Sequence, residues 1–256
     1  MPQGEILLDQ RLRDSRRTGR AAPLPAALPT LDRAYAVQRA VHATARLPVM
    51  VWKLGLTAAP PRRALGAAEP VVGRLPASAI YSDRSEIAFV GPEMFAEAEL
   101  VFELGQDLPP EGAPYTRERV IPALKGLYAG IEIVRTRFVH SDLPLELLVA
   151  DNVMAHGLVL GSRLGAGWDD RFAALPARLT RNGTDHATGS TANVFGDPLA
   201  ALVWLANWTC RNGEGGLRRE QLVASGSCTG VTEIHPGDSL VAAFDGTDGA
   251  RVTVAA

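Results

Sequence analysis

The apolar positions change period along the chain. Over residues 5 to 20, Ile6, Leu7, Leu8 and Leu12 recur among arginines with helical spacing, predicting an amphipathic helix that the Pro/Ala-rich stretch Ala21 to Pro29 ends. Thr30 is placed to cap a second helix through Asp32, Tyr35, Val37, Gln38 and Val41. From Val49 onward the period shortens to that of strands: Val49 to Leu54, Glu86 to Val90, Ala96 to Leu104, Ala129 to Val134, Gly157 to Leu160, Ala177 to Thr180 and Gln221 to Ala224, separated by Gly and Pro. Asp238 to Gly246 followed by Ala250 to Ala255 predicts a hairpin, and helices are expected at Arg117 to Leu127 and Pro198 to Arg211. The Ala-rich segments 21–27 and 58–68 read as loops or short helices, and there is no internal repeat. The expectation is an α+β protein with an N-terminal helical region, 1–48, and a β-rich catalytic domain, 49–256.

Composition narrows the classes. With 256 residues, 46% hydrophobic and 21% charged, the chain can bury a sizeable core. A net charge of -2 gives no electrostatic footprint for nucleic acid or an anionic membrane, so neither is expected as a partner. No run approaches the roughly 18 uninterrupted apolar residues of a membrane span, and Met1 to Gln10 is too short and acidic for a signal peptide. Cys210 and Cys228 show neither zinc-ligand spacing nor a disulfide framework, which suits a reducing, cytoplasmic compartment.

The candidate chemistry is acidic. In Phe95-Ala-Glu-Ala-Glu-Leu-Val-Phe-Glu-Leu104, strand alternation puts Glu97, Glu99 and Glu103 on one face and Ala96, Ala98, Leu100, Phe102 and Leu104 on the other. A lone Glu-x-Glu is by base rate a solvent-facing pair. Yet its charges repel across about 7 Å, and no Lys or Arg stands nearby in sequence. Glu132, inside Gly130-Ile-Glu-Ile-Val134, is a further carboxylate in an apolar run. Such groups are costly to desolvate unless a cation neutralises them, and carboxylate oxygens select Mg²⁺, Mn²⁺ or Ca²⁺ over zinc.

Lys53 lies in the apolar run Val51-Trp-Lys-Leu-Gly-Leu-Thr57, where its ammonium either snorkels to solvent or is held in a pocket. In a pocket it would pair with a substrate carboxylate or enolate oxygen, or donate a proton. Asp151-Asn152 is either an Asx turn or a substrate-orienting pair. The five histidines, His42, His140, His156, His186 and His235, lack metal-ligand spacing and read as surface or loop residues. Gly-x-Ser-x-Gly, phosphate-loop and dinucleotide fingerprints are absent.

Taken in order, Asp32-Arg-Ala-Tyr-Ala-Val-Gln38, Lys53-Leu-Gly-Leu-Thr57, Glu69-Pro-Val-Val-Gly73, Glu97-Ala-Glu99, Ile131-Glu-Ile-Val134, Ala150-Asp-Asn152, Gly196 to Ala206 and Pro236-Gly-Asp238 form a series. It resembles the 2-keto-4-pentenoate hydratase and 4-oxalocrotonate decarboxylase family, within the fumarylacetoacetate hydrolase superfamily, from about residue 30 to the end. The resemblance implies a mixed β-roll core, a homo-oligomer, and an Mg²⁺ or Mn²⁺ ion on Glu97, Glu99 and Glu132. It also implies a catalytic Lys53, with substrate contacts at Leu54, Asp151, Asn152 and Ser225. The implied substrates are small 2-oxo or 2-hydroxydienoic acids from aromatic-compound breakdown. The leading expectation is a lyase that ketonises a 2-hydroxydienoate and hydrates it to a 4-hydroxy-2-oxo acid.

The departures set the alternatives. Family hydratases usually read Gln-Pro-Asp-Phe-Gly where this chain has Glu69-Pro-Val-Val-Gly73, so Val71 replaces an acid, as it tends to in the decarboxylase branch. Lys53-Leu-Gly-Leu-Thr57 looks more like the hydratase version of its motif. Asp197 replaces a histidine common in Gly-His-Pro, and Ser225-Gly226 stands where Thr-Gly is usual. Decarboxylation of a 2-oxo acid and a non-catalytic binding role are therefore carried as alternatives. A carbon–carbon hydrolase ranks below both, because only His42 is available as an N-terminal water-activating histidine.

Overall fold

Both N-terminal helices form where the apolar spacing puts them. The computed structural model describes residues 3–256, with side chains from residue 8 on; Ile6 and Leu7 of the expected apolar face lie outside the described side chains. Helix α1 (Gln3–Thr18) buries Leu8 and Leu12. Helix α2 (Leu31–Ala43) starts at Thr30, whose hydroxyl accepts from the Arg33 amide at 3.4 Å, and buries Ala34, Val37, Gln38 and Val41. Beyond them come β1 (Val51–Gly55), α3 (Ala59–Ala64), β2 (Val71–Leu75), β3 (Ile80–Ser82), β4 (Ser85–Ile87), β5 (Met94–Leu104) and α4 (Arg117–Val120). There follow β6 (Leu124–Val134), α5 (Leu145–Ala150), β7 (Ala155–Gly165), β8 (Pro176–Arg181), β9 (Thr184–Ser190) and α6 (Pro198–Arg211). The chain closes with β10 (Leu222–Ser227), β11 (Thr232–Ile234) and the hairpin β12 (Ser239–Phe244) and β13 (Thr247–Val254). The class is α+β, as the pattern predicts.

The larger sheet is mixed, with order β2-β1-β10-β5-β6-β7-β3 and β11 paired to β5; the smaller has order β4-β13-β12-β8-β9. Ala96, Ala98, Leu100, Phe102 and Leu104 of β5 enter the main core with Trp208 and Leu202 of α6 and Leu240 and Val252 of the smaller sheet. The N-terminal helices pack against α5 and β2 through Leu12, Val37, Val41, Val71, Leu147 and Val153.

Two expected elements are shortened. The α-helix expected from Arg117 to Leu127 ends at Val120 and passes into a 3-10 turn over Ile121–Ala123, where Pro122 has no amide to continue the α-helical bonding, and β6 begins at Leu124. The strand expected at Glu86 to Val90 is only Ser85–Ile87, an edge strand pairing with the end of β13. Strands β2, β3, β9 and β11 are additions to the sequence pattern. No helix among the described residues is long and apolar enough to cross a membrane.

Candidate metal centre and active cavity

Antiparallel pairing of β5 with β6 builds the centre of the site. The register puts Glu97 directly opposite Glu132 and Glu99 opposite Gly130. Like charges directly opposite one another destabilise a ladder, and here they are also out of solvent. Glu99 and Glu132 are 0% exposed and Glu97 only 8%. The base-rate expectation of a solvent-facing pair fails because β5 is an interior strand, covered on its acidic face as well as on its apolar one. One oxygen from each of the three carboxylates lies within 4.8 Å of the others.

Part of this cluster is held and part is left open. Glu99 Oε2 accepts from the Gly226 amide at 3.0 Å. Gly226 has φ 115°, a conformation side chains avoid, and a Cβ there would lie 2.3 Å from Thr57 Oγ1. Glu99 Oε1 and both Glu132 oxygens are buried without a hydrogen-bond partner. Burial, reinforced by the Glu97 charge, pushes Glu99 up to about 8. Burial also pushes Glu132 well above the usual carboxylate range, against the pull of Lys53.

Lys53 supplies in space the cation that the local sequence lacks. Strand β1 lies between β2 and β10, so Lys53 is interior, 3% exposed, and does not snorkel. Its Nζ is 3.3 Å from Glu132 Oε2 and 4.0 Å from Glu97 Oε2. It donates to the Val153 carbonyl at 2.9 Å. That carbonyl sits in a run of left-handed residues, Asn152, Val153 and Met154, with φ of 61°, 55° and 58°. A β-branched residue in this region is strained, and the strain is spent on aiming an acceptor at the ammonium. Burial pulls the Lys53 pKa down, but Glu132 and Glu97 outweigh it and the net shift is upward, so the side chain stays charged.

Three carboxylates and one ammonium leave a formal charge of minus two, which one divalent cation would balance. Orphaned, all-oxygen donors suit Mg²⁺, Mn²⁺ or Ca²⁺. The residues present therefore fit such an ion.

The cluster opens onto a cavity of about 1110 Å³. Lys53, Leu54 and Glu97 form one part of its wall; the segment Gly55 to Arg62, Phe95, Val134, Ala192 to Gly196 and Ser227 to Val231 supply much of the rest. Glu99 and Glu132 lie behind this wall.

The other sequence-assigned contacts are placed differently. Asp151 does not line the cavity: its carboxylate accepts from the Arg137 amide at 2.8 Å and from Thr136 Oγ1 at 3.3 Å, and lies 3.7 Å from the Arg137 guanidinium. Asn152 is likewise occupied, bonding to both the amide and the carbonyl of Arg74 at 2.9 Å. Ser225 is fully buried in β10, and Ser227 reaches the cavity instead. None of the three is among the cavity-lining residues; Asp151 and Asn152 bond within the chain, while the Ser225 hydroxyl is buried without a hydrogen-bond partner. His156 is also not a loop residue; it lies in β7, half-buried, where desolvation and neighbouring Arg137 and Arg135 lower its pKa to about 3. Thr57, Arg62, Asn193, Phe195 and Thr229 line the cavity without having been singled out. The only sequence signal for them was their position in Gly/Pro-rich connections, where binding residues concentrate.

No protein-family model matches the chain. It is 30% identical over 258 residues to the 2-keto-4-pentenoate hydratase of Paraburkholderia xenovorans (strain LB400), covering 98% of this chain and 94% of that protein. It is 32% identical over 252 residues to the 2-keto-4-pentenoate hydratase of Burkholderia vietnamiensis (strain G4 / LMG 22486), covering 95% and 94%. Among solved structures, 4-oxalocrotonate decarboxylase from Pseudomonas putida G7, complexed with magnesium and adipate, superimposes with a TM-score of 0.88 at 20% identity, over 99% of this chain and 98% of that one. Fumarylpyruvate hydrolase from Pseudomonas aeruginosa, in complex with Mn²⁺ and pyruvate, gives 0.60 at 19% identity over 82% and 91%.

Proposed function

The chain belongs to the 2-keto-4-pentenoate hydratase family of the fumarylacetoacetate hydrolase superfamily, and on that premise we propose that it is a metal-dependent hydro-lyase acting on a small 2-hydroxydienoic acid. The product is a 4-hydroxy-2-oxo acid, formed by ketonisation of the dienol and addition of one water. The observation that carries this reading is the buried carboxylate trio, three of its oxygens without a hydrogen-bond partner, beside a charged lysine at the wall of a cavity.

Glu97, Glu99 and Glu132 would hold the ion, Mg²⁺ or Mn²⁺. When bound, it supplies Lewis-acid stabilisation of negative charge on the substrate's C2 oxygen and C1 carboxylate. Lys53 remains an ammonium, fixed by the Val153 carbonyl, and adds a second positive charge for that oxygen. Leu54, Phe95 and Val134 give the cavity apolar wall that excludes water from the carbon chain.

Decarboxylation of a 2-oxo acid is the second reading, favoured by one observation. Val71 is 2% exposed and packs with Val153 against Gly55, so the position where family hydratases carry an acid has no proton to give. Among the described residues that line the cavity, Glu97 is the only carboxyl and no imidazole joins it. Homo-oligomeric assembly belongs to the same proposal; Leu24, Leu28, Leu31 and Leu47 are large apolar side chains left exposed in the N-terminal region.

The deciding experiment incubates Mg²⁺-loaded protein with 2-hydroxypenta-2,4-dienoate and with 4-oxalocrotonate, following products by NMR and released CO₂. Formation of 4-hydroxy-2-oxopentanoate supports the hydratase. CO₂ from the diacid with an inert monoacid overturns it in favour of the decarboxylase. Absence of any turnover overturns both.

A further inference from the structure

We propose that Arg62 is a second anion-recognition point of the cavity, selecting 2-oxo or 2-hydroxydienoic acids that carry another carboxylate at the far end of the carbon chain. This rests on the function proposed above and specifies its substrate class.

Arg62 follows the Pro60-Pro61 pair in α3 and is one of two cations among the cavity-lining residues. The other, Lys53, is already compensated by Glu132 and Glu97. Arg62 makes no ion pair among the described residues, whereas Arg74 pairs with Glu214, Arg117 with Asp197 and Arg211 with Glu69. Its positive charge therefore faces the cavity without a counterion.

The guanidinium is nonetheless held in place. Nη1 donates to the carbonyls of Leu56 at 3.1 Å and Thr57 at 2.9 Å. The group also lies over the Phe195 ring, 5.4 Å from its centre. Two main-chain acceptors and one aromatic face restrain it while Nε and Nη2 keep their donors. A planar donor group restrained in this way loses little further freedom on binding, and its geometry matches a carboxylate. Ala58, Ala59 and Val231 also line the cavity and offer no charge that competes for a carboxylate. A five-carbon monoacid anchored at the acidic cluster would leave this charge unmatched in a cavity of about 1110 Å³. A chain ending in a second carboxylate would match it.

The test compares two unreactive six-carbon ligands, 2-oxoadipate and 2-oxohexanoate, which differ only in a terminal carboxylate against a methyl group. Dissociation constants are measured by calorimetry on the Mg²⁺-loaded protein. Wild type should bind the diacid at least about tenfold more tightly, the scale of one charge-assisted contact. Arg62→Gln should bring the diacid close to the monoacid, and Arg62→Lys should keep part of the preference. Equal affinities in wild type overturn the assignment without recourse to any variant, as does an equal loss for both ligands in Arg62→Gln. Turnover of 2-hydroxypenta-2,4-dienoate or 4-oxalocrotonate is measured on the same preparations. Its absence overturns the lyase reading, while the ligand pair still decides Arg62.

Discussion

Arg74 on β2 and Lys53 on the neighbouring β1 both bury a positive charge, at 3% exposure each, yet their surroundings are finished to different degrees. Arg74 donates from Nε to Gln38 at 2.9 Å and from Nη1 and Nη2 to both oxygens of Glu214, at 2.8 and 3.0 Å. Gln38 passes its own amide protons to the carbonyls of Val72 and Val149 at 2.9 Å. The Arg74 guanidinium also lies over Trp52. Every polar atom of this network has a partner within the chain. Around Lys53, Glu99 Oε1 and both Glu132 oxygens lack a hydrogen-bond partner, Glu132 Oε2 meeting only the Lys53 ammonium at 3.3 Å, and the cluster faces a cavity. A satisfied buried network ties elements together; an unsatisfied one beside a cavity is completed by something the chain does not encode.

The sharpest way to break this contrast is to remove acids from the open cluster. Glu97→Ala and Glu132→Gln should lower Mg²⁺-dependent turnover by about 10²–10³-fold. In EDTA the same variants should melt close to wild type, since relief of repulsion among the acids offsets the lost pairing with Lys53. Parallel rate measurements and thermal melts check both halves. A metal-free melting point several degrees lower would show the trio to be structural.

The opposite outcome is expected at the closed network. Arg74→Met leaves Glu214 and Gln38 without their partner and should cost about 3–5 kcal/mol in denaturant unfolding. Metal affinity of the folded fraction, measured by calorimetry, should stay close to wild type. A cost below about 1 kcal/mol would erase the distinction between the two networks.

The two networks also differed in how legible they were beforehand. Glu97, Glu99 and Glu132 stood out because charged residues in apolar runs are anomalous at the level of a few neighbours. Their convergence with Lys53 depends on a strand order, β1-β10-β5-β6, that local pattern does not contain. Arg74 and Glu214, 140 positions apart, carried no signal at all. Asp151 and Asn152 were marked as notable polar residues, but polar type alone does not reveal whether a side chain meets substrate or its own main chain. The helix expected through Leu127 failed where Pro122 intervened, and β2 was missed because Val71 to Leu75 is short and includes Gly73. Gly73 is required there: a Cβ would lie 2.7 Å from the Asn152 carbonyl oxygen, the turn that orients the acceptor for Lys53.

A smaller change probes the one anchor the open cluster does have. Gly226→Ala would force a side chain into φ 115° and against Thr57, at a cost of about 1–3 kcal/mol. Because the Gly226 amide holds Glu99 Oε2, Mg²⁺ affinity should also fall, by about 10-fold to 100-fold. Unfolding and calorimetric titration report the two effects separately. Stability lost with affinity intact would mean that Glu99 does not depend on this amide.

The gentlest test changes only pH. In the unfolded chain Glu99 ionises near 4.5, whereas in the metal-free fold burial and the Glu97 charge hold it to about 8. Between those values the native state keeps a proton that the unfolded state has released, so stability must fall as pH rises, with Glu132 contributing in the same direction. His156 acts oppositely: burial keeps it neutral down to about 3, so stability rises with pH until the unfolded imidazole has titrated, near 6.5. Lys53, shifted upward from 10.5, contributes stability that is lost only at higher pH. The clean window is therefore pH 6.5 to 8. There the EDTA-treated protein should lose a few degrees of melting temperature, while Glu99→Gln flattens the decline. Metal binding needs the ionised carboxylates and releases their protons, so saturating Mg²⁺ should stabilise more at pH 8 than at 6.5. A metal-free melting curve that is level across the window would mean that the trio's oxygens are not carrying the cost their burial implies, and that the open cluster is as settled as the closed one.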